Sequence, residues 1–275
     1  MPTLCETFKL LANQTWDYIK QSRDANFQLK EETLTDINML KLKLEHSREV
    51  TTKVFNKHKE GVNGSDWEWW FRGQNRMWIG FRIQAKIINN DSNRFEHLHY
   101  KGDDGVYQCD KLIAKSLTEQ SPRIPLYCLF IQTNNQHYLT TWQCGTNQYS
   151  RSLFGCSLIS AFKVKEFQLD PNIWDHINDI ENEIRPWHCL VCCTGYGGTD
   201  FISNIEAYAY NNFNLDDDGT NDIIGGLSYS FPGKFSTDTP PSYVLDILEY
   251  PKNDNLKSPD EDLEGVIIIT EPVGE

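Results

Sequence analysis

The 275-residue chain is predicted to fold as an α/β protein on three observations. Apolar positions recur at helical spacing through the first 45 residues, the period changes to two from Asp66 to Ile88, and a short apolar run, RIPLYCLFIQ, follows a further helical stretch. From Thr3 to Ser22 the apolar set is Leu4, Phe8, Leu11, Trp16 and Ile19, which predicts a first helix. A second opens near Glu31, with Leu34, Ile37, Leu40, Leu42 and Leu44 on a broad apolar face. Its opening turns carry Glu31, Glu32 and Asp36, which suits the positive end of the helix dipole.

In the next segment Asp66, Glu68 and Trp70 share one strand face, and Trp67, Trp69 and Phe71 share the other. The stretch RGQNR is a turn, and Trp78 to Ile88 is a second strand with Phe81, Ile83, Ala85 and Ile87 on one side and Arg82, Gln84 and Lys86 on the other. A hairpin centred near Asn75 sets Asp66 across from Gln84. YQCDKLIAKSLT, Tyr107 to Thr118, is a helix, and RIPLYCLFIQ is a fully buried strand introduced by Pro125. Farther on, PNIWDHINDIENEI is a helix opened by Pro171 and WHCLVCC a buried strand. GVIIITEPV is a late strand, and YVLDILEY is a strand or a short helix. The pattern divides into a core over 1–168 and an acidic α+β region over 169–275 that packs on it.

Hydrophobic residues at 39% and aromatics at 12% supply a substantial core. The net charge of −13 argues against broad, unspecific attraction to nucleic acid and leaves room for a local basic cleft. Lys and Arg are concentrated before Lys165, whereas the chain beyond Asp170 is strongly acidic. The opening residues lack the basic and apolar pattern of a secretory leader, and no apolar run spans a bilayer, so the expected setting is cytoplasmic with no membrane partner. There the eight cysteines are expected to be reduced thiols.

An acid on one strand, with an amide, any residue and a lysine on the next, is a pattern suited to metal-dependent phosphodiester hydrolysis. A carboxylate holds Mg²⁺ or Mn²⁺, the metal polarises the phosphate and acidifies a water, and the lysine orients that water or offsets developing charge. Asp66 would be the metal carboxylate, Gln84 would offer its side-chain oxygen, and Lys86 lies two residues on along the same face. A neutral amide binds Mg²⁺ less strongly than a carboxylate, so a second acid is required, and Glu68 is a candidate on the same strand face. The plainer reading is a cross-strand ion pair between Asp66 and Lys86. The tryptophans belong to the core, with Trp70 the candidate to wall the cleft or stack on a base. Three other motifs read as structural. His188 to Cys193 lacks a closing ligand pair for zinc, Asn214 to Gly219 is an acidic loop with Gly225 where a calcium loop needs glutamate, and Gly195 to Gly198 is a turn.

With Asp66 and Gln84-Ala85-Lys86 in this order, the chain resembles the PD-(D/E)XK nuclease superfamily, in its Q-x-K variant. EETLTD, GSDWEWW, RIQAK, YQCDKLI and PLYCLF also follow the order of an uncharacterised prokaryotic family with a G-[AS]-D-W-E-W-W core, a likeness that runs to about Trp187. Two positions depart from the superfamily pattern: Ser65 replaces its proline, and Gln84 replaces its acid. The resemblance implies a restriction-endonuclease-like core, a central mixed sheet flanked by helices. It also implies a further metal-binding glutamate from the helix before the hairpin, at Glu32 or its neighbour Glu31, and a polar contribution at Gln108. The implied activity is a Mg²⁺-dependent endonuclease acting on DNA before RNA, as a homodimer and in defence against foreign nucleic acid. The alternatives are a catalytically inactive nuclease-fold protein that binds or scaffolds, and a hydrolase of a nucleotide messenger.

Overall fold

The computed structural model describes residues 2–55, 66–117, 121–140, 142, 150–170, 172–173, 175–213, 215, 222–224, 227–229 and 232–272. Helix α1 spans Leu4–Asp24, and its start is set by a reciprocal cap in which Thr3 and Glu6 each accept the other's backbone N–H. Helix α2 (Glu31–Glu45) buries Leu34, Met39 and Leu42, while Leu40 and Leu44 lie on its outer face, 57% and 68% exposed. That corrects the broader apolar face expected from the leucine spacing. Strands β1 (Val50–Val54), β2 (Asp66–Arg72) and β3 (Trp78–Ile87) lead to α3 (Gln108–Leu117) and the fully buried β4 (Ile124–Phe130). After a 3₁₀ turn come β5 (Cys156–Ser160), α4 (Ala161–Leu169), α5 (Ile177–Ile180), β6 (Arg185–Pro186), α6 (Cys189–Cys192) and α7 (Phe201–Asn212). A small ribbon of β7 (Asp222–Ile224) and β8 (Leu227–Tyr229), then α8 (Ser242–Glu249) and β9 (Leu263–Thr270), complete the order.

Seven strands form one mixed sheet in the order β1-β9-β2-β3-β4-β5-β6. β2 and β3 pair antiparallel, β3 and β4 parallel, and β9 inserts between β1 and β2, running parallel to β2. The acidic C-terminal region is therefore woven into the sheet at β6 and β9.

The β2–β3 alternation sends Trp67, Trp69, Phe71, Phe81 and Ile83 to one face, under α1, α2 and α7. There Trp187 packs on Phe8 and Trp69 at ring distances of 4.7 and 5.7 Å, and its indole N–H donates to the Phe8 carbonyl at 2.7 Å. The opposite face carries Glu68, Trp70, Arg82, Gln84 and Lys86 and is covered in part by α8 through Val244 and Ile247.

Several expectations are corrected. The helix expected from Pro171 shrinks to α5 because Asp175 adopts a left-handed backbone, φ 60°, and its carbonyl pairs with Phe95; Pro171 itself lies outside the described residues. WHCLVCC forms no strand. Trp187 ends the ladder by donating to the Cys156 carbonyl, and Cys189–Cys192 coil as α6, the apolar character reporting burial alone. Helix α7 is not apparent from the sequence pattern, although Asp200 caps it and Ile202, Ile205, Tyr208 and Ala209 form its buried side. Strand β1 is likewise additional to the expected elements. Cys5 and Cys192 are joined as a disulfide, with their Cα atoms 5.2 Å apart, in place of the two thiols expected. Cys109, Cys128, Cys156, Cys189 and Cys193 are buried thiols. Gly195 to Gly198 form the turn before α7, while the positions that define the calcium-like loop, Asn214, Asp216, Asp218, Gly219 and Gly225, and also Cys144, lie outside the described residues.

Trp70 leans across the partner strand where Gly80 offers no side chain: a Cβ there would lie 2.7 Å from the indole ring. Gly80→Ala is expected to destabilise the protein by about 1–3 kcal/mol through this overpacking, read as a lower denaturant midpoint at an unchanged slope.

Candidate metal and phosphodiester site

The register of the hairpin is Asp66↔Gln84, Glu68↔Arg82 and Trp70↔Gly80, which is the expected pairing. β3 continues three residues past Gln84, and Ile88 donates to the Phe130 carbonyl on the β4 side. The Ile87 N–H therefore points the other way, and the Glu31 carboxylate accepts it at 3.2 Å. Glu31 thus reaches around the end of the sheet from the layer of α2. Burial pushes its carboxyl pKa up, with the Lys86 charge and the Ile87 N–H acting against that shift. Of the two acids left open by the sequence, Glu31 is the one tied to β3; Glu32 follows it in the first turn of α2, with no such bond among the described residues.

Gln84 and Lys86 are buried, 2% and 4% exposed, on the face shared with α3. Gln108, in the first turn of α3, donates its amide N–H to the Gln84 side-chain oxygen at 3.1 Å. This bond fixes which way the Gln84 amide turns. Glu31, Gln84, Lys86 and Gln108 thus converge from α2, β3 and α3, and the backbone of Asp66 stands opposite Gln84.

Two expectations on the same sheet face are corrected. The Glu68 carboxylate is fully buried and held by Arg123 at 2.8 Å, by Arg82 at 3.8 Å, by the Trp70 indole N–H at 3.0 Å and by the Tyr243 hydroxyl. With two guanidiniums on it, this charge is neutralised within the fold and is not directed at a cation. Trp70 is also fully buried, among Phe55, Trp78, Val244 and Ile247, so it neither walls a cleft nor stacks on a base.

The ionic cluster continues outward. Arg82 donates to Asp260 at 2.8 Å, and Lys115 bonds Asp260 at 3.0 Å and also Asp262. Burial opposes ionisation of Asp260, yet Arg82 and Lys115 together with the Asp262 N–H bring its pKa down to about 2. Sequence reasoning missed this cluster because Arg123, Asp260 and Tyr243 are far apart along the chain. The alternation that places Glu68 and Arg82 on one apolar-flanked face is the signal that could have found it.

Among the described residues no group of three or more His, Cys, Asp or Glu side chains could hold a metal ion. Of the groups whose side chains are described, Glu31 and the Gln84 oxygen could hold a divalent cation, and the backbone of Asp66 stands opposite Gln84. Hard oxygen donors of this kind suit Mg²⁺, which keeps waters and takes further oxygens from substrate phosphate. Among the described residues, no helix is long and apolar enough to cross a membrane.

The fold and site define an α/β protein with a seven-stranded mixed sheet flanked by helices and a polar cluster at one end of its central hairpin. The chain belongs to a family of unknown function (DUF6615), whose model matches residues 4–273. No curated protein and no solved structure matches it.

Because the folded pKa of Asp260 lies below its ordinary 3.8, its stabilisation is present above that value and is lost as pH falls toward 2. Asp260→Asn is expected to lower stability by about 2 kcal/mol at pH 7, the difference closing near pH 2, as measured by denaturation across pH. Glu68→Gln is expected to cost about 3 kcal/mol at pH 7, because it leaves buried guanidiniums uncompensated.

Proposed function

We propose that the protein is a Mg²⁺- or Mn²⁺-dependent phosphodiester hydrolase acting on nucleic acid, DNA before RNA. The observation that carries this reading is the meeting of Glu31, Gln84, Lys86 and Gln108 at the hairpin end where Asp66 pairs with Gln84. The charge count supports it: Asp66 and Glu31 against Lys86 give the three residues a formal charge of −1, which repels a phosphate. A divalent cation reverses the sign. Desolvation raises the pKa of Glu31, and a cation beside it would act against that shift.

When bound, the metal would supply Lewis-acid polarisation of the phosphate and a more acidic water. The protein's own groups do the rest. Glu31 and Asp66 hold the cation, and Gln108 turns the Gln84 oxygen toward a fixed direction. Lys86, kept buried beside Glu31, offers an ammonium to the attacking water or to charge developing on the phosphate. The resemblance noted from the sequence supports a role in cytoplasmic defence and a paired, homodimeric form. A second reading, a noncatalytic nucleic-acid-binding or scaffold protein, is favoured by one observation: the Gln84 oxygen is already satisfied by Gln108.

Two measurements separate these readings. Mg²⁺ at a hundred times its Kd is expected to stabilise the parent by about 2.7 kcal/mol, and Glu31→Gln and Asp66→Asn are expected to abolish that stabilisation. Divalent-dependent cleavage across single- and double-stranded DNA and RNA is expected to fall at least about a hundredfold in Lys86→Ala, with the fold retained. Neither stabilisation nor cleavage in the parent would leave the scaffold reading in place.

A further inference from the structure

A polar cleft lies beyond the carboxyl ends of β3 and β4, which are adjacent and parallel, where open α/β sheets place ligands. It is a cleft of about 390 Å³, with four amides, Asn93, Asn134, Asn135 and Asn178, around the half-buried rings of Tyr138 and His176. Its charge is engaged internally. Arg23, the one guanidinium at the cleft among the described residues, donates to the carbonyls of Asn90 and Gln132 and so clamps the loops after β3 and β4 to α1. Among the described residues no carboxylate and no lysine lines the cleft. Amides and aromatic rings dominate this wall. It suits a flat, uncharged group with donors and acceptors on its edge: amides bond base edges, and aromatic rings stack on base faces.

The cleft and the candidate metal site both lie at the carboxyl end of β3. The α1–α2 connection runs beside the end of β3, Gln28 accepting from Asn90 at 3.0 Å and Glu31 from Ile87 at 3.2 Å. Lys86 and Ser92 at the cleft are six positions apart, at most about 20 Å of extended chain, a span that a few nucleotides of single strand can cover.

Resting on the phosphodiesterase reading, we infer that this cleft receives an unpaired nucleobase of the substrate strand, so that the preferred substrate is single-stranded or locally unpaired nucleic acid.

The full-length Lys86→Ala chain, used to suppress turnover, would be titrated with a labelled single-stranded 12-mer, with the same strand made abasic at successive positions, and with adenosine and cytidine alone. Asn134→Ala/Asn178→Ala on that background alters two exposed side chains. It is expected to weaken the intact strand about tenfold and to leave unchanged the strand whose cleft-facing position is abasic. The nucleosides are expected to shift the NMR signals of Tyr138 and His176, and the double variant to abolish those shifts. Equal affinity of intact and abasic strands, or nucleoside shifts that survive the double variant or never arise, would overturn the proposal. If the parent shows no metal-dependent cleavage while the nucleoside shifts behave as expected, the hydrolase reading falls and the cleft stands as a base-binding site. Cleavage without those shifts would keep the hydrolase and remove the base-binding cleft.

Discussion

A one-residue slip between β2 and β3 would turn every side chain of one strand to the opposite layer, and the protein carries unlike contents on its two layers. The Asp66↔Gln84 register keeps Trp67, Trp69 and Phe71 under α1 and α7 while aligning Glu68 with Arg82 on the other side. The same register leaves the last three residues of β3 beyond the β2 pairing, which is why the Ile87 N–H is open to Glu31. Core, buried ion pairs and candidate site are thus three consequences of one pairing.

Glu68 and Glu31 show how two acids near one hairpin acquire different work. Glu68 is enclosed by Arg82, Arg123, Trp70 and Tyr243, and its charge is fully answered within the fold. Glu31 is half-buried with the Lys86 charge and the Ile87 N–H favouring its ionised form, and desolvation still drives its pKa up. Glu68 serves the stability of the fold, whereas Glu31 is the acid that the proposed function assigns to the metal. The acidic C-terminal region acquires an internal purpose from the same balance of charge: Asp260 and Asp262 answer Arg82 and Lys115, so part of its negative charge is neutralised at the sheet.

The hairpin, its register, the two opening helices and the helix at Gln108 are legible in the sequence because period-two and period-3.6 patterns are local and strong there. Glu31 and Gln108 can be named from the sequence, but the choice between Glu31 and Glu32 depends on which carboxyl reaches the N–H at a strand end, a three-dimensional fact. Alternation places Trp70 with Asp66 and so suggests a cleft residue, while its actual neighbours, Gly80 across the hairpin and Val244 on α8, are set by tertiary packing. WHCLVCC and the stretch after Pro171 mislead for a related reason. Short apolar runs report burial without direction, and a single left-handed residue at Asp175 ends a helix that periodicity would continue.

The position of β9 has a consequence for how the molecule comes into being. The strand that flanks Asp66 and separates β1 from β2 is Leu263–Thr270, about 190 residues after β2 ends at Arg72. During synthesis, β2 and β3 emerge with one edge open, and the chain waits for β9 before that edge is covered. Assembly of the candidate site is therefore coupled to completion of the sheet: a ribosome-bound or truncated chain without β9 lacks the strand that pairs with β2 beside Asp66.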